Sequence, residues 1–175
     1  PKGVSFGDTI FYDAERCVMC TRCIRFMEEV AKDPVLDMRE RGNLNEIFVA
    51  PGRKLEGHYT FMTEHVCPVG ALTTKDFRFK ARVWYLSSAP TLCNGCSQGC
   101  NVDLHYVLDR PHLNDGARVV RLKPRYNPHV NQWWLCDEGR YGLGWIDYQR
   151  LDRVRGPAAN AGAARTAVSA ATARD

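Results

Sequence analysis

Eight cysteines are the residues of this chain whose type and spacing could do chemistry, and they divide into two sets of four with none left over. The first set runs Cys17-x2-Cys20-x2-Cys23 and is completed by the distant Cys67, followed at once by Pro68. The second runs Cys93-x2-Cys96-x3-Cys100 and is completed by Cys136. A [4Fe–4S] cube needs four thiolates converging on one centre, and short spacings let one loop supply three while a remote cysteine supplies the fourth. The chemistry such a set supports is one-electron transfer. Zinc competes for the same donors, although its sites more often pair two C-x2-C hooks. No C-x2-C is followed by His, which excludes c-type haem attachment. Disulfides fit poorly, because cysteines at x2 and x3 spacing are better placed to share a metal than to bond each other, and a reducing interior is the expected setting.

The first set departs from the C-x2-C-x2-C-x3-C-P run that two-cluster bacterial ferredoxins use twice. Where the fourth cysteine would follow Cys23 stands Met27, with Glu28 in place of Pro. Counting back from Cys67-Pro68, the places of a second complete run hold Thr63, Thr60 and Gly57. One cluster is expected to survive and its partner to be gone. His65, close to Cys67, reads as a surface residue or a neighbour of a ligand. The second set reverses the C-x3-C-x2-C order of radical enzymes that cleave S-adenosylmethionine, and Cys136 fills the position those enzymes leave open. Electron transfer is therefore favoured over catalysis, and no catalytic residue is assigned.

Elements must bring each remote cysteine to its loop. Thr21–Lys32 carries apolar Ile24, Phe26, Met27 and Val30 and reads as a helix ended by Asp33-Pro34. Glu46–Ala50 reads as a strand before the Pro51-Gly52 turn. The run around Cys67 reads as a ligand turn feeding one helical turn. Arg82–Leu86, Val102–Leu108 and Arg118–Lys123 read as strands, and the segment after Cys136 as a short helix. Lys75–Arg82 alternates Phe77 and Phe79 with cations; a half-buried strand is favoured over a nucleic-acid strip. The fold class is α+β: a degenerate ferredoxin-like [4Fe–4S] domain over 1–80, then a small β-rich [4Fe–4S] module over 81–150, irregular and metal-stapled. Domains of about 70–80 residues commonly need such a staple. Residues 151–175, rich in alanine, read as a linker or truncated junction.

The chain has 175 residues and a formal charge of +4 with thiols counted neutral. Two thiolate-bound cubes, each roughly −2 when oxidised, would bring that near zero, so the basic excess does not require nucleic acid. No apolar run reaches the roughly 18 residues of a membrane span, and no secretory leader is visible. A first residue other than Met suggests a fragment or a processed chain. No G-x-G-x-x-G or P-loop is present, so no Gly-rich phosphate-binding loop of these types is read in the sequence. Val18, Met19, Ile24, Phe26, Val66 and Val69 are expected to shield the first centre, and Trp133, Trp134 and Leu135 the second. Arg22, Arg25, Arg121 and Lys123 are candidate cations beside them, with an ordinary surface cation the favoured reading for any one.

Five segments in order, CVMCTRCIRF, HVCPVGALT, KDFRFKARVW, CNGCSQGCN and WWLCDEGRYG, resemble the large iron–sulfur subunit of NADH-quinone oxidoreductase (respiratory complex I) over about residues 5–150. The resemblance implies that Cys17, Cys20, Cys23 and Cys67 hold a [4Fe–4S] cluster of the main relay between flavin and quinone. It implies that Cys93, Cys96, Cys100 and Cys136 hold an additional cluster, in a module similar to the iron–sulfur domain of molybdopterin oxidoreductases. It further implies peripheral-arm partners, including the NADH/FMN-binding subunit, and a cytoplasmic place on the bacterial inner membrane without a span of its own. The [2Fe–2S] domain and the His/Cys3 cluster that the family carries upstream are not in this sequence, nor is its large downstream domain. The iron–sulfur region of an NAD-linked formate dehydrogenase and a structural zinc module remain as alternatives.

Overall fold

The computed structural model describes residues 3–40, 42–110 and 112–148. The Ala-rich segment over 151–175 lies outside the described residues. Residues up to Leu143 form one compact unit; a second begins at Gly144, described only through residue 148 as a single 3-10 turn over Gly144–Ile146.

Three small antiparallel sheets frame the first unit. Strands β1 (Gly3–Ser5), β2 (Ile10–Asp13) and β5 (Leu72–Thr74) form one sheet with β2 central. Its alternation turns Ile10 and Tyr12 into the core and leaves Phe11 beneath the Arg78 guanidinium, 3.9 Å from the ring centre. A hairpin of β3 (Leu36–Arg39) and β4 (Glu46–Val49) adds Leu36 and Ile47 to the same core. The third sheet runs β6 (Ser87–Leu92), β7 (Asn101–Tyr106) and β8 (Val119–Pro124), with a bulge between His105 and Tyr106.

Three short helices carry or adjoin ligand positions. Helix α1 (Arg22–Arg25) continues into a π-helical turn over Phe26–Val30, so the helix expected over 21–32 is present but widened at its C-terminal half. That widening buries Phe26 and Met27 side by side. Helix α2 (Met62–Val66) ends at Cys67, and α3 (Asp137–Tyr141) begins after Cys136.

Three local expectations need correction. The helical turn near Cys67 precedes the cysteine; after it the chain bends and enters β5, because Ala71 and Leu72 are drawn into the core. Arg82–Leu86 holds a 3-10 turn over Val83–Tyr85, and the strand starts at Ser87. There Trp84 and Tyr85 pack on Arg82 and Arg110 and stay largely exposed. Residues 75–80 form turns, neither a strand nor an extended cationic strip. Among the described residues no helix is long and apolar enough to cross a membrane.

Candidate metal centres

The loop Cys17–Thr21 has no glycine, yet Met19 and Thr21 both adopt left-handed φ, 53° and 60°. Such conformations cost free energy outside glycine and persist where the surroundings fix them. They curl the loop so that Cys17, Cys20 and Cys23 line one cavity with Cys67 and Pro68. Cys23 is buried at the start of α1, whereas Cys20 is exposed. Burial, and then the neighbouring sulfurs, push the Cys23 thiol up to about 12. A metal must therefore displace that proton as it binds.

Tyr12 forms part of the same wall. It is 1% exposed, held by β2 and by a stacked Phe6 ring 4.6 Å away, and its hydroxyl is buried without a hydrogen-bond partner. Burial first, and then the adjacent Cys17 sulfur, raise its phenol pKa. Val18 and Val69 line the cavity although both are partly open to solvent, and Arg22 lines it too. Arg25, Met19, Ile24, Phe26 and Val66 are not in its wall, although the last four belong to or adjoin the core.

The second set lines a wider cavity of about 700 Å³ with Trp134, Leu135, His58 and Tyr59. Two backbone N–H groups donate to sulfurs: Gly95 to Cys93 Sγ and Gly139 to Cys136 Sγ, each at 3.4 Å. Gly139 is required here, because a Cβ would sit 3.0 Å from Cys93 Sγ and 2.8 Å from Leu135 Cδ1. Burial raises the Cys100 and Cys136 thiols. Trp133, expected to shield this centre, instead stacks on Tyr126 at 4.3 Å and is outside the wall. Trp133 sits in a turn closed by the Trp134 N–H donating to the Asn131 carbonyl at 2.8 Å, and of the two rings only Trp134 lines the wall.

The remote ligand positions are tied to each other. Asp137, next to Cys136, accepts from Phe61 N–H at 3.1 Å and from the Thr60 hydroxyl, capping the N-terminus of the helix that ends at Cys67. Its own N–H donates to the His58 carbonyl at 2.6 Å. Arg140, 1% exposed, pairs with Asp76 through Nη1 at 2.7 Å and Nη2 at 3.2 Å. The Phe26 and Trp134 rings meet at 5.1 Å.

Arg121 and Lys123 lie on β8 away from both walls. Arg121 is buried beneath the Phe77 ring, 3.7 Å from Glu64, and its Nε donates to His105 Nδ1 at 3.2 Å. Burial, Lys123 and Arg121 hold His65 down to about 4, and burial with the same two cations does so for His105. His65 is thus a half-buried neutral imidazole beside cations and lies outside the first wall.

The donor chemistry fits an iron–sulfur group at both places: four soft sulfurs around one cavity, an unpartnered hydroxyl at the first, and backbone N–H donors with a glycine cradle at the second. Among the described residues no three His, Cys, Asp or Glu side chains stand close enough to hold a single metal ion. The grouping of the cysteines rests on the shared cavities. Sequence reasoning missed Tyr12, Gly139 and Asp137. The last two carry a faint signal as the D-E-G that follows Cys136, whereas Tyr12 carries none.

Residues 7–73 match the family described as NADH-quinone oxidoreductase subunit 3, ferredoxin-like domain, and residues 86–147 the molybdopterin oxidoreductase Fe4S4 domain. The G subunit of NADH-quinone oxidoreductase from Streptomyces coelicolor is 36% identical over 156 residues, 89% of this chain and 17% of that protein. Subunit 3 of the Thermus thermophilus enzyme is 36% identical over 142 residues, 81% of this chain and 17% of its own length. The mitochondrial NADH-ubiquinone oxidoreductase 78 kDa subunit of Candida albicans is 33% identical over 147 residues, 84% of this chain and 19% of that protein. The chain spans under a fifth of the length of these relatives.

Proposed function

Because the chain belongs, through both its domains and its relatives, with the large iron–sulfur subunits of NADH-quinone oxidoreductase, we propose that it is an electron-relay segment of such an enzyme. The observation that carries this reading is that each cysteine set lines its own cavity within its own iron–sulfur domain. Cys17, Cys20, Cys23 and Cys67 would hold one [4Fe–4S] cluster; Cys93, Cys96, Cys100 and Cys136 would hold a second. When bound, such a group supplies a one-electron carrier. The chain's own residues fix the thiolates, keep water from the buried sulfurs, and aim N–H groups at Cys93 and Cys136.

The finer assignments are part of the same proposal. Residues 1–80 form the relay domain and 81–150 the accessory one, each stapled by its metal. The first is a ferredoxin domain reduced to one cluster, and the use made of Thr60 and Thr63 supports this. Both sit where a complete second run would have cysteines, and both are buried. Thr60 bonds to Asp137, and the Thr63 hydroxyl donates to the Thr60 carbonyl at 2.7 Å. That place now serves a polar joint between the two domains. NADH and flavin would bind a partner subunit in the peripheral arm, and the assembly would sit on the cytoplasmic face of the bacterial inner membrane. The NAD-linked formate dehydrogenase alternative is not favoured, since the matching relatives are NADH-quinone oxidoreductase subunits.

Anaerobic isolation followed by iron, acid-labile sulfide and zinc analysis tests the reading. About eight irons and eight sulfides per chain are expected from two cubes. Stoichiometric zinc without sulfide would establish a structural zinc module in its place.

A further inference from the structure

We propose that Tyr12 is a positioning residue for the first centre, its hydroxyl donating a hydrogen bond to the Cys17 sulfur once that thiol is deprotonated as a ligand, which raises the reduction potential there. The inference rests on the reading that Cys17 is a cluster ligand.

A buried hydroxyl without a partner is costly and in a native fold calls for an explanation. Tyr12 is such a group: its ring is locked by the pairing of β2 with Val4 and Leu72 and by Phe6, and its oxygen is sealed within the unit without an acceptor. Its ring and Cys17 belong to the same cavity wall. Among the groups that act on its phenol are the Cys17 sulfur and the Ile47 backbone N–H. An N–H can only donate, so of these two the sulfur is the one that can take the phenol's hydrogen bond.

As a thiol, Cys17 directs its own hydrogen to Met19 Sδ at 3.6 Å. Loss of that proton on ligation makes the sulfur acceptor-only and strengthens it as an acceptor. The hydroxyl thus gains its partner in the state that holds a cluster. A hydrogen bond to a ligand sulfur favours the state with more negative charge, which is the reduced one, so removing it lowers the potential. The tyrosine transfers neither proton nor electron; its proton stays on oxygen throughout.

The test is Tyr12→Phe in the whole chain, which deletes one oxygen and keeps the ring. Redox titration followed by electron paramagnetic resonance reads the midpoint of the signal that Cys67→Ala abolishes. The expected result is full iron and sulfide content with that midpoint lowered by an amount approaching a tenfold change in the reduction equilibrium, about 59 mV for one electron. The second centre's midpoint should not move. In the metal-free chain the substitution should leave thermal stability unchanged or raised, since no bond is lost. A retained first signal with an unmoved midpoint, or a metal-free variant less stable than its parent, overturns the inference. A parent chain with no such signal overturns the cluster reading itself.

Discussion

Gly139 shows how closely single residues are fitted around the second cysteine set. Its N–H points at Cys136 Sγ while its α-carbon lies against Cys93 and Leu135, so one residue without a side chain serves both ends of the set. Gly139→Ala would force the added methyl against Cys93 Sγ and Leu135 Cδ1, so these side chains must shift from their places in the wall. Overpacking of this kind costs about 1–3 kcal/mol. The expected outcome is loss of the second signal with the first retained, read by electron paramagnetic resonance and iron content. At the same scale, the first loop obtains its curvature from Met19 and Thr21 in left-handed conformations, without any glycine. Nothing in that stretch of sequence announces such a bend except the need of three thiolates to face one point.

At the scale of elements, the two remote cysteines are presented by short helices that depend on each other. Helix α2 has no capping side chain of its own, and the carboxylate of Asp137, at the start of α3, takes that part. Asp137→Ala removes an N-cap and leaves the Phe61 N–H unpaired, at a cost of about 1 kcal/mol. Thermal melts of the metal-loaded chain should show that loss, and chelators should strip iron from both centres faster, since α2 leads to Cys67 and α3 follows Cys136. Faster loss from only one centre would show that the helices are held independently.

Much of the element pattern is legible in the sequence, and the departures from it share a cause. The helix after Cys23 and the strands over 101–106 and 119–124 follow from apolar periodicity facing a core. Arg82–Leu86 has strand-like composition, but Trp84 and Tyr85 find arginine neighbours rather than a sheet face, and the segment coils. The alternation over 75–80 fails as a strand for a similar reason: Phe77 lies over Arg121 while Phe79 stays outside. Cation–aromatic contacts between distant segments leave no periodic trace. Both cavities can be anticipated from cysteine spacing alone. The Tyr12 hydroxyl cannot, because its place depends on the register of β2 against β1 and β5.

Over the whole molecule, the two cysteine sets sit in one compact unit ending at Leu143 and joined across its middle by three different kinds of contact. The Asp137 cap, the pair of buried Arg140 with the more exposed Asp76, and the Phe26–Trp134 ring contact each link the part of the chain holding the first set to the part holding the second. An aromatic pair of this geometry adds about 0.5–1.5 kcal/mol beyond its area. Removing Asp76 would strand the buried Arg140 charge, which is more damaging than the pair is stabilising. These contacts tie the two cysteine sets into one unit, which under the proposed function would hold a relay centre and an accessory centre. The proposed function depends above all on the eight cysteines forming two independent ligand sets with these memberships. The direct measurement is electron paramagnetic resonance of the reduced parent chain beside Cys67→Ala and Cys136→Ala. Two distinct [4Fe–4S] signals in the parent, one missing in the first variant and the other missing in the second, are predicted. Loss of the same signal in both variants, or a silent parent, would contradict it.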